Sequence, residues 1–431
     1  MNKLKYLVIL ISVVFLLSCA STVQKKSYSE DLMSAPDVFS AELDPFNRSL
    51  DWQQEIPRGI LYVTARKPAP EGSEVPYLNE RDYFLHLGIA KIGVKGSEVS
   101  RGELLDISNL ETTDKKYPLT VEEINDFGPL ENTVHDLAEI KNTESAQKAS
   151  EQFAGIINGQ LEKNPVKDIY IFVHGVNTSF EEPLYVADEF WHYMGYRGVF
   201  IAFSWPSGQD ILNYLSDVDS AEYSAVLFRE FLQYLTDNTI AERIHILAWS
   251  AGTKLTSQAV HQYSLMQNCT VQNESGPKLG HLIYVAGDVE RQLLSMYIAD
   301  GLLDPFEDLT SYMSATDQAL KASDTIHKYP RIGQPWKLDE QSPEMIDFIE
   351  NNRDKLTFVD VTGAPGANKG NGHEYFRSSP WVSSDIIAVL LMDMTPEERG
   401  LVHKDGLEYW SFPDDYIERL RDGINKKKNT E

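Results

Sequence analysis

The sequence predicts an α/β protein with a mostly parallel central sheet and helices on both faces. Three observations predict it. Near-continuous apolar runs such as DIYIFVHG (168–175) and RIHILAW (243–249) recur through the chain, as strands buried on both faces do. Between them lie segments with apolar residues at three- and four-residue steps, Phe153, Ile156, Ile157 and Leu161 for instance, the period of an amphipathic helix. Several runs also end in small-residue turns, which is how a strand hands over to a helix.

In chain order, GILYVTAR (59–66) and YFLHLGIAKIGV (83–94) are the first strands, and 100–142 reads as acidic and irregular. A helix is expected over 145–161, a strand at 168–175, and a helix over 183–195. GVFIAFSWPSG (198–208) is a strand, 217–236 a long helix, and RIHILAW (243–249) a strand. HLIYVAGD (281–288), LTSYMSATD (309–317) and KLTFVDVTG (355–363) are further strands, and 383–392 is the last helix. NKKKNTE at the end reads as a solvated tail. Residues 56–400 form the expected domain and 401–431 an extension. The connections 289–308 and 318–354 are long enough to carry a lid.

The 431 residues, 42% hydrophobic and 11% aromatic, suffice for a large core. A net charge of −26 excludes a broad nucleic-acid-binding face, which needs a basic surface. The start is different in kind. Lys3 and Lys5 precede an apolar run from Tyr6 to Leu17, broken only by Ser12 and followed by LLSC (16–19). This is too short for a comfortable membrane span and has the form of an export signal. LLSC resembles the lipobox of bacterial lipoproteins. That implies a signal peptide over 1–18, acylation at Cys19, and membrane anchoring through lipid; in a Gram-negative host, Ala20 and Ser21 fit the outer membrane. Residues 19–55 then read as a tether. Cys19 and Cys269 are the two cysteines, so an acylated chain has no intramolecular disulfide.

The chemistry centres on HILAWSAGTKL (245–255). A serine in a strained strand-to-helix turn flanked by small residues is the arrangement of a nucleophile elbow, with Ala248 and Gly252 as the small neighbours of Ser250. Spacing alone leaves a purely structural turn equally open. Two further stretches favour chemistry. His174-Gly175 ends a buried strand, so the following loop is placed to aim the N–H of Val176 at an oxyanion beside that of Ala251; the His174 side chain reads as structural. GAPGANKGNGHEYF (363–376) delivers His373, a proton shuttle in the right range, beyond the last strand. The acid that orients it is Asp317, with Asp288 as the alternative; either could equally cap a helix. No H-E-x-x-H or cysteine pair points to a metal, and no cofactor is called for.

LYVTAR, IFVHGVNTSFEE, FSWPSG, D-x-x-S-A-x-x-S at Asp217 to Ser224, AWSAGTKL, ATDQAL and GHEYFRSSPWVSSD together resemble an uncharacterised esterase/lipase-type α/β-hydrolase family of bacteria. The resemblance implies the α/β-hydrolase fold and supports Ser250, His373 and a carboxylate. Trp249 and Ala251 depart from its usual His-Ser-Met-Gly elbow, which bears on pocket shape. The expectation is a serine hydrolase acting on a small-molecule or lipid ester. An acyltransferase using the same residues, or a lipoprotein using an inactive scaffold for binding, are the alternatives.

Overall fold

A computed structural model describes residues 30–39, 59–96, 103–104, 116–131, 144–208, 213–269, 278–336, 342–403 and 409–429. The leader, Cys19 and most of the expected tether lie outside these residues. The strands are β1 (Ile60–Pro68), β2 (Tyr77–Val94), β3 (Leu119–Pro129), β4 (Asp168–Val173), β5 (Val199–Ser204), β6 (Arg243–Trp249), β7 (Lys278–Val285), β8 (Phe306–Met313), β9 (Leu356–Asp360), β10 (Val402–His403) and β11 (Trp410–Ser411). They form one sheet in the order β10-β11-β9-β8-β7-β6-β4-β5-β1-β2-β3. From β1 to β11 every neighbouring pair is parallel. The edges are antiparallel, β1–β2–β3 on one side and β10–β11 on the other.

The helices are α1 (Glu144–Lys163), α2 (Glu182–Tyr193), α3 (Tyr214–Asn238), α4 (Gly252–Cys269), α5 (Arg291–Ala299), α6 (Gln318–His327), α7 (Pro343–Asn351), α8 (Tyr375–Ser378), α9 (Pro380–Met392) and α10 (Tyr416–Lys428). β4 shows why the sheet is covered twice. All six of its residues are buried. Ile169, Ile171 and Val173 pack with Phe153 of α1, Phe228 of α3 and Leu255 of α4. Tyr170 and Phe172 point the other way, to Leu184 of α2, Ile386 of α9 and Leu420 of α10. A period of two then divides one apolar run between two cores.

Four expectations need correction. The stretch 100–142 contains β3, an edge strand paired antiparallel with β2; its half-exposed residues carry a weak apolar signal. The expected strand 309–317 is β8, which ends at Met313. The C-terminal residues are not merely a tail. β11 adds to β9, and α10 buries Tyr416, Leu420 and Ile424, one per turn. Part of the expected tether is packed as well: Met33, Val38 and Phe39 are buried, the Met33 N–H donates to Glu189, and Tyr193 donates to the Met33 carbonyl. The two candidate lid connections carry α5 and α6–α7. Trp336, between α6 and α7, is buried against Phe358 and under the Arg291 guanidinium, so its role there is packing.

Candidate active site

The loops after β6, β8 and β9 converge at the C-terminal edge of the sheet, where open parallel sheets bind ligands. β6 delivers Ser250 into the left-handed region, φ +55°, a conformation that costs a non-glycine residue on the order of 1–2 kcal/mol. The surroundings hold it there. The Ser250 N–H donates to the Val285 carbonyl at 3.0 Å, and the Ser250 carbonyl accepts from the N–H groups of Thr253 (3.0 Å) and Asp288 (3.1 Å) and from the Thr253 hydroxyl (2.6 Å). Two glycines leave the space. A Cβ on Gly252 would lie 2.4 Å from the His174 carbonyl oxygen, and one on Gly175 would lie 2.7 Å from the Ser250 Cβ. Ala248, where an elbow commonly has glycine, is fully buried and fits as it stands.

Ser250 Oγ lies 2.8 Å from His373 Nε2, and His373 Nδ1 lies 2.7 Å from Asp317 Oδ2. With Nδ1–H donating to the carboxylate, Nε2 is left to accept the serine proton. All three residues are at least nine-tenths buried. Asp317 does two jobs with its two oxygens, since Oδ1 also accepts from the Leu320 N–H at 2.9 Å as the N-cap of α6. The loops of acid and base are stitched together: Gln318 N–H donates to the Asn371 carbonyl, and His373 N–H to the Asn371 side chain.

Asp288 faces elsewhere. Its carboxylate pairs with Lys254 at 2.8 Å and Arg331 at 3.4 Å, and accepts from Ser323 at 2.5 Å and Tyr214 at 2.9 Å. Burial pushes this carboxyl up, but Lys254, Ser323 and Arg331 outweigh it and hold it below the ordinary range. It is a buried counter-ion with no hydrogen bond to His373 among the described residues.

On the other flank, His174 is structural, as its position suggests. Nδ1–H donates to the Gly175 carbonyl at 2.7 Å, Nε2 accepts the Trp205 N–H at 2.9 Å, and the ring stacks on the Trp205 indole. Burial, with the Arg66 charge adding to it, keeps this imidazole well below its usual range and so neutral. Val176 and Ala251 follow Gly175 and Ser250. Among the described residues neither N–H has an acceptor. For Ala251 this follows from its place just before α4, where helix N–H groups are unpaired.

One residue went unrecognised in the sequence, and another has a different place from the one expected. Arg66, 2% exposed, donates through Nη2 to the carbonyls of Thr178 (2.8 Å) and Ser179 (3.3 Å) and through Nε to Ser204. It braces the Gly175–Ser179 loop from below, and burial lowers its guanidinium to about 10. It belongs to the LYVTAR stretch, but nothing local in that stretch says where the side chain goes. Trp249 was expected to bear on the shape of the pocket. Its Nε1–H instead donates to the His373 carbonyl at 3.0 Å, and its ring lies against His373 and Phe376. It holds the histidine loop and forms a wall.

A wider cavity opens at the opposite, N-terminal edge of the sheet, with His281, Asp308 and Asp393 in its lining. His281, Glu307 and Asp393 approach one another closely enough to hold a cation. The protein fills that need itself: Arg243 reaches Asp393 (2.7 Å) and Glu307 (3.3 Å), and His281 is bonded through both nitrogens to Asp308 and Asp393. Burial pulls the imidazole down, yet those two carboxylates outweigh it and raise it to about 9.

Three solved structures resemble the chain at low similarity. Esterase B from Lactobacillus rhamnosis, described with a tributyrin phosphonate, shares 11% identity over 62% of this chain and 80% of its own, TM-score 0.31. An esterase from Pyrococcus furiosus shares 13% over 53% and 83%, TM-score 0.30. An acylaminoacyl peptidase from Pyrococcus horikoshii shares 14% over 59% and 39%, TM-score 0.29. No curated protein matches. The model of the family described as alpha/beta hydrolase of unknown function (DUF900) matches residues 148–390, more than half of the chain, and the chain belongs to that family.

Proposed function

We propose that this hydrolase is a serine hydrolase that cleaves a carboxylic ester through an acyl-enzyme on Ser250. The observation that carries the reading is the unbroken chain from Ser250 Oγ through His373 to Asp317, at 2.8 and 2.7 Å, on a strained elbow. Ser250 Oγ attacks the carbonyl carbon and its proton passes to His373 Nε2. Asp317 stabilises the imidazolium, and the N–H groups of Val176 and Ala251 bind the oxyanion. His373 then protonates the leaving alcohol, and water, activated by the same imidazole, releases the acid.

The test is labelling by a fluorophosphonate probe together with turnover of p-nitrophenyl acetate. Wild type is expected to label at Ser250. Ser250→Ala and His373→Ala are expected to lose labelling and turnover by on the order of 10⁴-fold or more. Equal turnover in Ser250→Ala would reject the reading.

The N-terminal sequence supports a second part of the proposal: export, cleavage before Cys19, and anchoring by acyl chains at that cysteine, several of which hold a protein at a membrane where one does not. Incorporation of labelled palmitate in cells, lost in Cys19→Ser, tests it.

A further inference from the structure

The loop that carries His373 is rich in glycine, and α8, a helix of four residues, follows it. A helix this short does not hold itself, and Glu374 at its start makes no side-chain cap. The place of α8, and of His373 just before it, is therefore set by what its side chains touch. Tyr375 is fixed from inside: its hydroxyl donates to the Tyr312 carbonyl at 2.8 Å and accepts the Ala286 N–H at 2.6 Å. Phe376 is fixed from the side, 5.6 Å from the Trp249 ring and stacked on Phe190 of α2.

Arg377 is fixed from outside, by two separate parts of the chain. Glu189 of α2, 1% exposed, takes the Nε–Nη2 edge of the guanidinium in a fork at 3.0 and 2.8 Å. The N-terminal segment takes the other edge. Glu30 pairs with Nη1, and the Asp31 carbonyl accepts from Nη2 at 3.1 Å. Forked ion pairs of this kind fix geometry as well as charge. The two holds are joined, because Glu189 also accepts the Met33 N–H at 2.7 Å.

The segment is itself clamped along its length. The Leu119 N–H of β3 donates to the Glu30 carbonyl at 2.7 Å, and the Leu32 N–H donates to the Tyr117 carbonyl at 2.9 Å. Further on, Phe39 stacks on Tyr193, the Val38 N–H donates to Ser384 at 3.1 Å, and Arg421 of α10 donates to the Asp37 carbonyl at 2.6 Å. Residues 30–39 thus form a strap, and one end of it closes on the helix that follows the catalytic histidine.

We infer that Arg377 is a positioning residue for His373, and that the strap 30–39 sets it through Glu30 and Asp31. The docked strap keeps α8 in the place where His373 Nε2 lies 2.8 Å from Ser250 Oγ. Loosening the strap leaves one edge of the Arg377 guanidinium without Glu30 and Asp31, and α8 free to shift. A misplacement of about 1 Å costs on the order of 10²-fold in rate. The kinetic consequence rests on the serine-hydrolase reading above; the coupling of strap to loop does not.

The experiment uses the full chain with Arg377→Met, Arg377→Lys and Glu30→Ala. It measures steady-state turnover of p-nitrophenyl acetate and hydrogen exchange of the amides of residues 372–379. Per folded molecule, kcat is expected to fall about 10²-fold in Arg377→Met and about tenfold in Glu30→Ala, with KM within about twofold of wild type. Arg377→Lys keeps the charge without the fork and should fall between wild type and Arg377→Met; it carries the test if Arg377→Met does not fold. Exchange in 372–379 should quicken in each variant. His281→Gln, which weakens the opposite edge of the sheet, is expected to keep kcat per folded molecule, separating a local effect from general loss of stability. An unchanged kcat in Glu30→Ala, a rise in KM alone, or unchanged exchange in 372–379 would overturn the inference. If wild type turns over no ester, the hydrolase reading falls by itself. Faster exchange in Glu30→Ala would still support the coupling, and unchanged exchange would reject it.

Discussion

Two carboxylates lie within reach of the serine elbow, and exchanging each for its amide separates their roles. In Asp317→Asn the cap of α6 survives, because an asparagine oxygen can accept the Leu320 N–H now bound at 2.9 Å and caps about as well as aspartate. Stability should change by less than about 1 kcal/mol. The contact at 2.7 Å to His373 Nδ1 loses its charge, and an amide NH2 facing Nδ1 favours the wrong imidazole tautomer. The expected loss in kcat is about 10³–10⁴-fold. Asp288→Asn has the opposite profile. Lys254 and Arg331 lose their buried counter-charge, which costs about 2–4 kcal/mol, while the Ser250–His373–Asp317 chain is untouched. Urea unfolding gives the stabilities; the rate of fluorophosphonate labelling per folded molecule gives the activities. Labelling of Asp317→Asn within tenfold of wild type, or abolition of labelling in a folded Asp288→Asn, would refute the assignment of the acid.

Three more outcomes follow from contacts around the site and across the sheet. Gly175→Ala places a methyl carbon 2.7 Å from the Ser250 Cβ; one of the two loops must move, and labelling should fall by about 10²-fold, with an overlay of the variant's crystal structure as the check. Arg66→Met leaves the Ser179 carbonyl without its donor and the Thr178 carbonyl with the Ser207 hydroxyl alone, so urea unfolding should show a loss of about 1–3 kcal/mol with slower labelling. His281, raised to about 9 in the fold against an ordinary 6.5, contributes on the order of 3 kcal/mol. That stability is complete below pH 6.5 and disappears as pH rises through 9. Denaturation between pH 6 and 10 should show the decline in wild type, and its persistence in His281→Gln would rule out this origin.

The central strands were legible because burial on both faces writes itself as an uninterrupted apolar run, as in residues 168–173 and 243–249. The edges were not. β3 depends on hydrogen bonds to β2, a partner that its own residues LTVEEINDFGP do not specify. α10 is a different kind of miss: Tyr416, Leu420 and Ile424 recur every four residues, a signal present in the sequence but masked by the lysines after it. Residues 30–39 show no sustained apolar period, yet three apolar side chains anchor them, and only the fold supplies Glu189 and Ser384 as acceptors for the backbone there. Arg66 was invisible for the same reason, since its partners lie more than a hundred residues away.

Chain order favoured Asp317 as the acid and kept Asp288 as the alternative, because β7 lies between β6 and β8 and an aspartate follows each of these strands. Capping a helix and orienting the histidine were weighed as rivals for an aspartate, and the Asp317 geometry makes them compatible: a carboxylate has two oxygens, and fixing one on a helix end orients the other toward His373. What separates the candidates is charge. Lys254 stands in the first turn of α4, four residues beyond Ser250, where a cation is disfavoured by the helix dipole and burial lowers its ammonium. Such a lysine requires a nearby anion, and Asp288 on the neighbouring loop is that anion. The lysine at the fourth position after the elbow serine was thus the readable sign that Asp288 was already committed.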